Sequence, residues 1–121
     1  MKEKNLVNGY KALERLYAQK LPMVDAYKVY RLKGQVSDVY KFQSEQETKI
    51  IEEHHGTHAD NGDISFPDEL EFAKFRDAII ELNETEIDVP VDPVVIAMDH
   101  VKNINISPAD IEALEGFVSF Q

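Results

Sequence analysis

Leu21-Pro22-Met23-Val24-Asp25 decides how the chain begins to fold. Ahead of it, Leu6, Tyr10, Leu13, Tyr17 and Leu21 recur at spacings of four, three, four and four, which traces one stripe of a helix. Leu16 widens that stripe, while Lys11, Glu14, Arg15 and Lys20 lie largely elsewhere. The residue before a proline is pushed out of the α region, so this first helix stops near Lys20–Leu21. Pro22 suits the first turn of a second helix, where its missing N–H is no loss, and Asp25 sits near the positive end of that helix. A break of one or two residues between two helices predicts a tight helical hairpin.

From Pro22 to Glu53 there is no further proline and one glycine, Gly34. The apolar positions Ala26, Tyr27, Tyr30, Val36, Val39, Tyr40, Phe42, Ile50 and Ile51 do not keep to one face, as expected of a long helix with several packing partners or of one that changes its buried side near Gly34. Roughly 30 residues at 1.5 Å each reach about 45 Å, more than a compact domain of this size needs. Part of the helix should project, and a projecting apolar helix calls for a second copy. Tyr10, Tyr17, Tyr27, Tyr30, Val36 and Phe42 are therefore the expected interface of a homo-oligomer.

Further along, Asn61-Gly62 is the strongest short signal for a type I′ turn, because both central residues need positive φ, and it predicts a short β-hairpin. Ser65, with Asp68 three residues on, is the expected cap of a third helix with Phe72, Phe75, Ile79 and Leu82 on one face and Leu70 and Ile80 off it, ending near Asn83. Ile87, Val89 and Val91 alternate with polar residues, a strand that Pro90 and Pro93 confine to a sheet edge. Val94–Met98 either continues it or crosses the core. Ser107-Pro108-Ala109-Asp110 opens a short last helix that closes near Gly116, and Phe117, Val118 and Phe120 form an apolar tail that must pack somewhere. The fold class is α+β and predominantly helical, in a single domain over 1–121: a helical hairpin over 1–55 and an acidic α+β part over 56–121.

The 121 residues, 43% of them hydrophobic, suffice for one globular core. No cysteine is present, which excludes a disulfide framework, a thiolate metal site and a cysteine nucleophile. The longest apolar run, Val94–Met98, is far short of a membrane span, and no signal-peptide core follows Met1, so a cytoplasmic protein without membrane contact is expected. Charge is divided unevenly. Residues 1–49 carry ten Lys/Arg against six Asp/Glu, a net of +4, and all five tyrosines; residues 50–121 carry three against seventeen, a net of −14. The acidic part can pack near the basic part, within one chain or between copies.

Three further chemistries present themselves. His54, His55 and His58, with Asp60, are metal-ligand types within seven residues, yet the spacing is not that of a helical His-Glu-x-x-His site, and Gly56 interrupts any helix between His54 and His58. Histidine near a helix C-terminus also serves the helix dipole alone, so no metal or other cofactor is assigned. Tyr27-Lys28-Val29-Tyr30-Arg31-Leu32-Lys33 supplies the rings and cations of a single-strand nucleic-acid binder, but rings three apart more simply make one buried helical patch, and the acidic remainder opposes nucleic acid. No nucleophile elbow, phosphate-cradling loop or dinucleotide fingerprint occurs, so no enzyme is expected.

Leu21-Pro22 followed by Ala26-Tyr27-Lys28, the Asn61-Gly62 turn, Phe75 to Leu82 leading into Glu84–Val91, and Ile106-Ser107-Pro108-Ala109-Asp110-Ile111 with Leu114-Glu115 together resemble an uncharacterised family of short phage and prophage proteins of Gram-positive bacteria. The resemblance implies a small, acidic, oligomerising accessory protein of a phage module, with other phage proteins as further partners and the virion as a second location. It supplies no catalytic or binding residue, and the histidine cluster is foreign to it.

Overall fold

The computed structural model describes residues 1–121 and is α+β, mostly helical. Helix α1 (Glu3–Tyr17) and helix α2 (Met23–Glu53) form the expected antiparallel hairpin, with Tyr10 stacked on Tyr40 and Tyr17 against Tyr30. The first helix ends earlier than expected, so the link runs over Ala18–Pro22. Pro22 stands just ahead of α2, its carbonyl accepting from the Ala26 N–H at 2.9 Å.

The buried side of α1 is Leu6, Gly9, Ala12, Leu13 and Leu16, rotated from the expected stripe so that Tyr10 is half-buried and Tyr17 exposed. Gly9 sets the rotation. A Cβ there would lie 2.3 Å from the Phe117 ring, so the α1 backbone presses directly on the C-terminal segment. The 31-residue α2 also keeps to one face, contrary to expectation: Asp25, Val29, Leu32, Val36 and Gln43 are its buried positions through the middle, at coiled-coil spacing. Gly34 does not interrupt it.

Strands β1 (Thr57–His58) and β2 (Ile64–Ser65) pair antiparallel. Their turn is not type I′. Gly62 alone has positive φ, +88°; the Gly62 N–H donates to the Ala59 carbonyl and the Ala59 N–H to the Asp63 carbonyl, a three-residue loop ending in a left-handed glycine. Helix α3 (Glu69–Glu84) is capped by Asp68, whose Oδ1 accepts from the Glu71 N–H at 2.8 Å. It leans on α1 and α2 with Phe75, Ile79 and Leu82 half-buried, but none of its residues is fully buried.

The edge strand expected at Ile87–Val91 does not form. Those residues run extended with their apolar side chains against the core, while Pro90 and Pro93 deny them a ladder. The strand is β3 (Val94–Ile96), and its partner is the apolar tail: β4 (Val118–Phe120) lies parallel to it, Val94 opposite Val118 and Ile96 opposite Phe120. Between them come a 3-10 turn, Met98–Val101, and helix α4 (Pro108–Ala113), whose cap Ser107 accepts from the Asp110 N–H at 3.1 Å. The core gathers Leu6, Leu13 and Leu16 of α1, Val29, Leu32 and Val36 of α2, and Ile96, Leu114 and Phe117. Val36 is 0% exposed within its own chain and is a core residue, not an interface residue. No helix is long and apolar enough to cross a membrane.

Candidate functional site

Because α2 buries the stripe that includes Val29, Leu32 and Val36, the residues on its opposite side are pushed outward. Tyr27 and Tyr30 are each 59% exposed, so they are not the buried helical patch that their spacing suggested. The exposed ring of Tyr17 on α1 joins them: its centroid lies 6.2 Å from Tyr30, which is 6.5 Å from Tyr27. Lys33 Nζ sits 5.3 Å above the Tyr17 ring, a cation–π contact. Tyr10, Tyr17, Tyr30, Arg31, Lys33 and Gly34 help to line an open groove of about 570 Å³. Lys28 lies outside this groove, beside Tyr27 and Arg31, its Nζ 3.4 Å from the Val95 carbonyl.

Of the six expected interface residues, the structure brings together Tyr17, Tyr27 and Tyr30. Tyr10 is tied up in its stack with Tyr40, centroids 4.3 Å apart. Phe42 is exposed but stands alone: twelve residues beyond Tyr30, it is about 18 Å further along the helix and about 120° round it.

The histidine cluster does not assemble. His54 turns to α3, with Nδ1 3.2 Å from Glu71 Oε2; His55 takes positive φ, +58°; His58 and Asp60 are exposed on the hairpin. Nowhere do three or more His, Asp or Glu side chains converge so as to hold a metal ion.

Two regions that the sequence reading did not mark also bear on binding. Leu70 and Ile80 of α3, set aside there as lying off the stripe, are 64% and 54% exposed. With Ala73, Asp77 and Glu84 they make a second stripe at spacings of three and four, and that spacing was the available signal. An open apolar groove of about 750 Å³ lies beside α4, lined by Met98, Ile104, Ile106, Ile111 and Phe120.

The electrostatics follow the charge division. Lys2 and Lys4 grip Glu84 at 2.6 and 2.8 Å, and these hydrogen bonds hold its carboxyl down at about 2. Arg15 donates to Asp110 at 2.8 Å and keeps that carboxyl below the usual range. So the basic N-terminal segment does meet the acidic part within one chain, at these points. Around the tyrosines the cations Lys20, Lys28, Arg31 and Lys33 find no carboxylate within ion-pair distance. Asp25, two residues before Tyr27, is buried and accepts from His100 Nδ1 at 2.7 Å. The face is thus aromatic, basic and suited to an acidic, partly apolar surface. No family model, no curated protein and no solved structure matches the chain.

Proposed function

We propose that the chain is a non-enzymatic association protein that binds copies of itself through the exposed side of its N-terminal hairpin. The observation that carries this is the open Tyr17, Tyr27 and Tyr30 cluster with its unpaired cations, on α1 and the first half of α2, whose other side is buried in the core. Tyrosine and arginine are the residue types that anchor interfaces, since they combine a large apolar body with a polar end. The resemblance to short phage proteins supports an accessory role in a phage or prophage module, in the cytoplasm or on the virion, with other phage proteins as further partners.

Sedimentation of dilute protein tests the reading. Association in the micromolar range is expected, and Tyr27→Ala with Tyr30→Ala should weaken it at least tenfold while circular dichroism stays unchanged. A strictly monomeric wild type overturns it.

Exposure of the rings beside Lys28, Arg31 and Lys33 also favours a second reading, stacking on single-stranded nucleic acid. The net charge of −10 works against a polyanion. Retardation of a labelled strand, falling steeply with salt, would establish it.

A further inference from the structure

We infer that the partner of the tyrosine face is the outward side of α3 in a second copy, so that association joins two different surfaces of the chain. This rests on the self-association reading and names what the face holds.

The two surfaces match in pitch. On α2 the outward stripe reads Tyr27, Tyr30, Gly34, Ser37 and Lys41; on α3 it reads Leu70, Ala73, Asp77, Ile80 and Glu84. Both step by three, four, three and four, the spacing that lets two helices interlock along a shallow crossing. Each stripe spans fourteen residue steps, about 21 Å of helix. Gly34 leaves open space on the α2 side, with nothing within 4 Å of where its Cβ would be, so a bulky side chain of the other helix has room there.

They also match in charge. Arg31, Lys33 and Lys41 make the first surface basic, with Asp38 the only acid among the exposed residues from Tyr27 to Lys41; on α3 the exposed acids Glu69, Asp77, Glu81 and Glu84 outnumber the exposed cations Lys74 and Arg76. Like surfaces would repel, face against face or arm against arm, which leaves the mixed pairing as the attractive one.

Within one chain the surfaces cannot meet. α3 is pinned at its start by the His54–Glu71 contact, at the far end of α2, and at its finish by Lys2 and Lys4 on Glu84, at the open end of the hairpin. Leu70 and Ile80 stand exposed on it, and the tyrosines lie near the hairpin's closed end.

The test is a pair of charge-reversed proteins read by sedimentation at low and moderate salt. The face variant carries Lys28→Glu, Arg31→Glu and Lys33→Glu; the arm variant carries Glu69→Lys, Asp77→Lys and Glu81→Lys. Wild type should associate, more weakly as salt rises. Each variant alone should lose at least tenfold in association, and an equimolar mixture should recover it, because the acidic face of one then meets the basic arm of the other. That recovery also shows that both variants are folded. Should either lose its helical signal, Leu70→Ser with Ile80→Ser reads the same contact without reversed charge, and undiminished association then overturns the pairing. An arm variant that associates as well as wild type, while Tyr27→Ala with Tyr30→Ala does not, overturns the α3 partner and leaves face-to-face self-association standing. A monomeric wild type that binds a labelled oligodeoxythymidine through Lys28, Arg31 and Lys33 overturns both.

Discussion

The two ends of this molecule are built on different principles. At one end α1, the first half of α2, β3, β4 and α4 share an apolar core in which Leu6, Leu13, Leu16, Val29, Val36, Ile96 and Leu114 have no solvent exposure. At the other, the end of α2, the β-hairpin and α3 bury little: Ile51 is their one buried apolar residue. The positions inside the junction with α1 are polar, Glu3 and Gln43, and one oxygen of the Glu3 carboxyl has no partner. A cluster of Phe66, Phe72 and Phe75 and surface ion pairs hold this arm in place. Apolar burial scales with area and dominates stability, whereas exposed pairs contribute ~0–1 kcal/mol each. The arm is therefore the part whose surface a partner can still complete.

Large truncations should separate the two ends most. Phe117→Ala or Leu13→Ala should cost about 3–5 kcal/mol in urea unfolding, whereas Phe75→Ala, half-buried, should cost about half as much. Equal losses at the two ends would erase the distinction. Hydrogen exchange sharpens it: α3 amides should exchange well before those of α1, by local opening.

Gly9→Ala comes next. Alanine improves helix propensity by ~1 kcal/mol, but its methyl at 2.3 Å from Phe117 forces a shift of a fully buried ring, and overpacking costs about 1–3 kcal/mol. A net loss of about 1 kcal/mol, read from the urea midpoint, is expected.

Glu3 offers a gain. Burial raises its pKa above the ordinary 4.5, so the folded state prefers the protonated carboxyl. The sign follows: Glu3 favours folding below the unfolded pKa, and this advantage is lost as pH rises through the folded one. Glu3→Gln should thus stabilise at pH 7, by about 1 kcal/mol, and make no difference near pH 3.

The smallest effect belongs to Glu84. Its pKa is lowered to about 2, so its contribution is present above pH 4.5 and fades as pH falls towards 2. Glu84→Gln should flatten that acid limb slightly in a pH series of melting curves, and salt should flatten it too.

Features with a strictly local cause were legible in the sequence: the start of α2 at Pro22, the Ser107-Pro108 start of α4, and the existence of α3. Legibility failed wherever burial had to be inferred from residue type. Tyr10 and Tyr17 count as apolar in any pattern, whereas Gly9, which has no side chain, left no mark on it, so the α1 stripe came out rotated. Asp25 and Gln43 hid the single buried face of α2 because both are polar. Half of the candidate site was visible, as Tyr17, Tyr27 and Tyr30. Their exposure was not, since it depends on which side of α2 the core claims. The histidines were conspicuous but separate, because a left-handed residue at His55 turns the chain between His54 and His58.

The sequence alone determined that four helices form, where α2 and α4 start and how charge is divided, because caps, prolines and ionised groups act over a few residues. Tertiary structure decided which faces are hidden and that the apolar tail becomes a parallel strand beside Val94–Ile96. Both depend on contacts between residues far apart in the chain, Gly9 with Phe117 above all, and a local pattern carries no record of such distances.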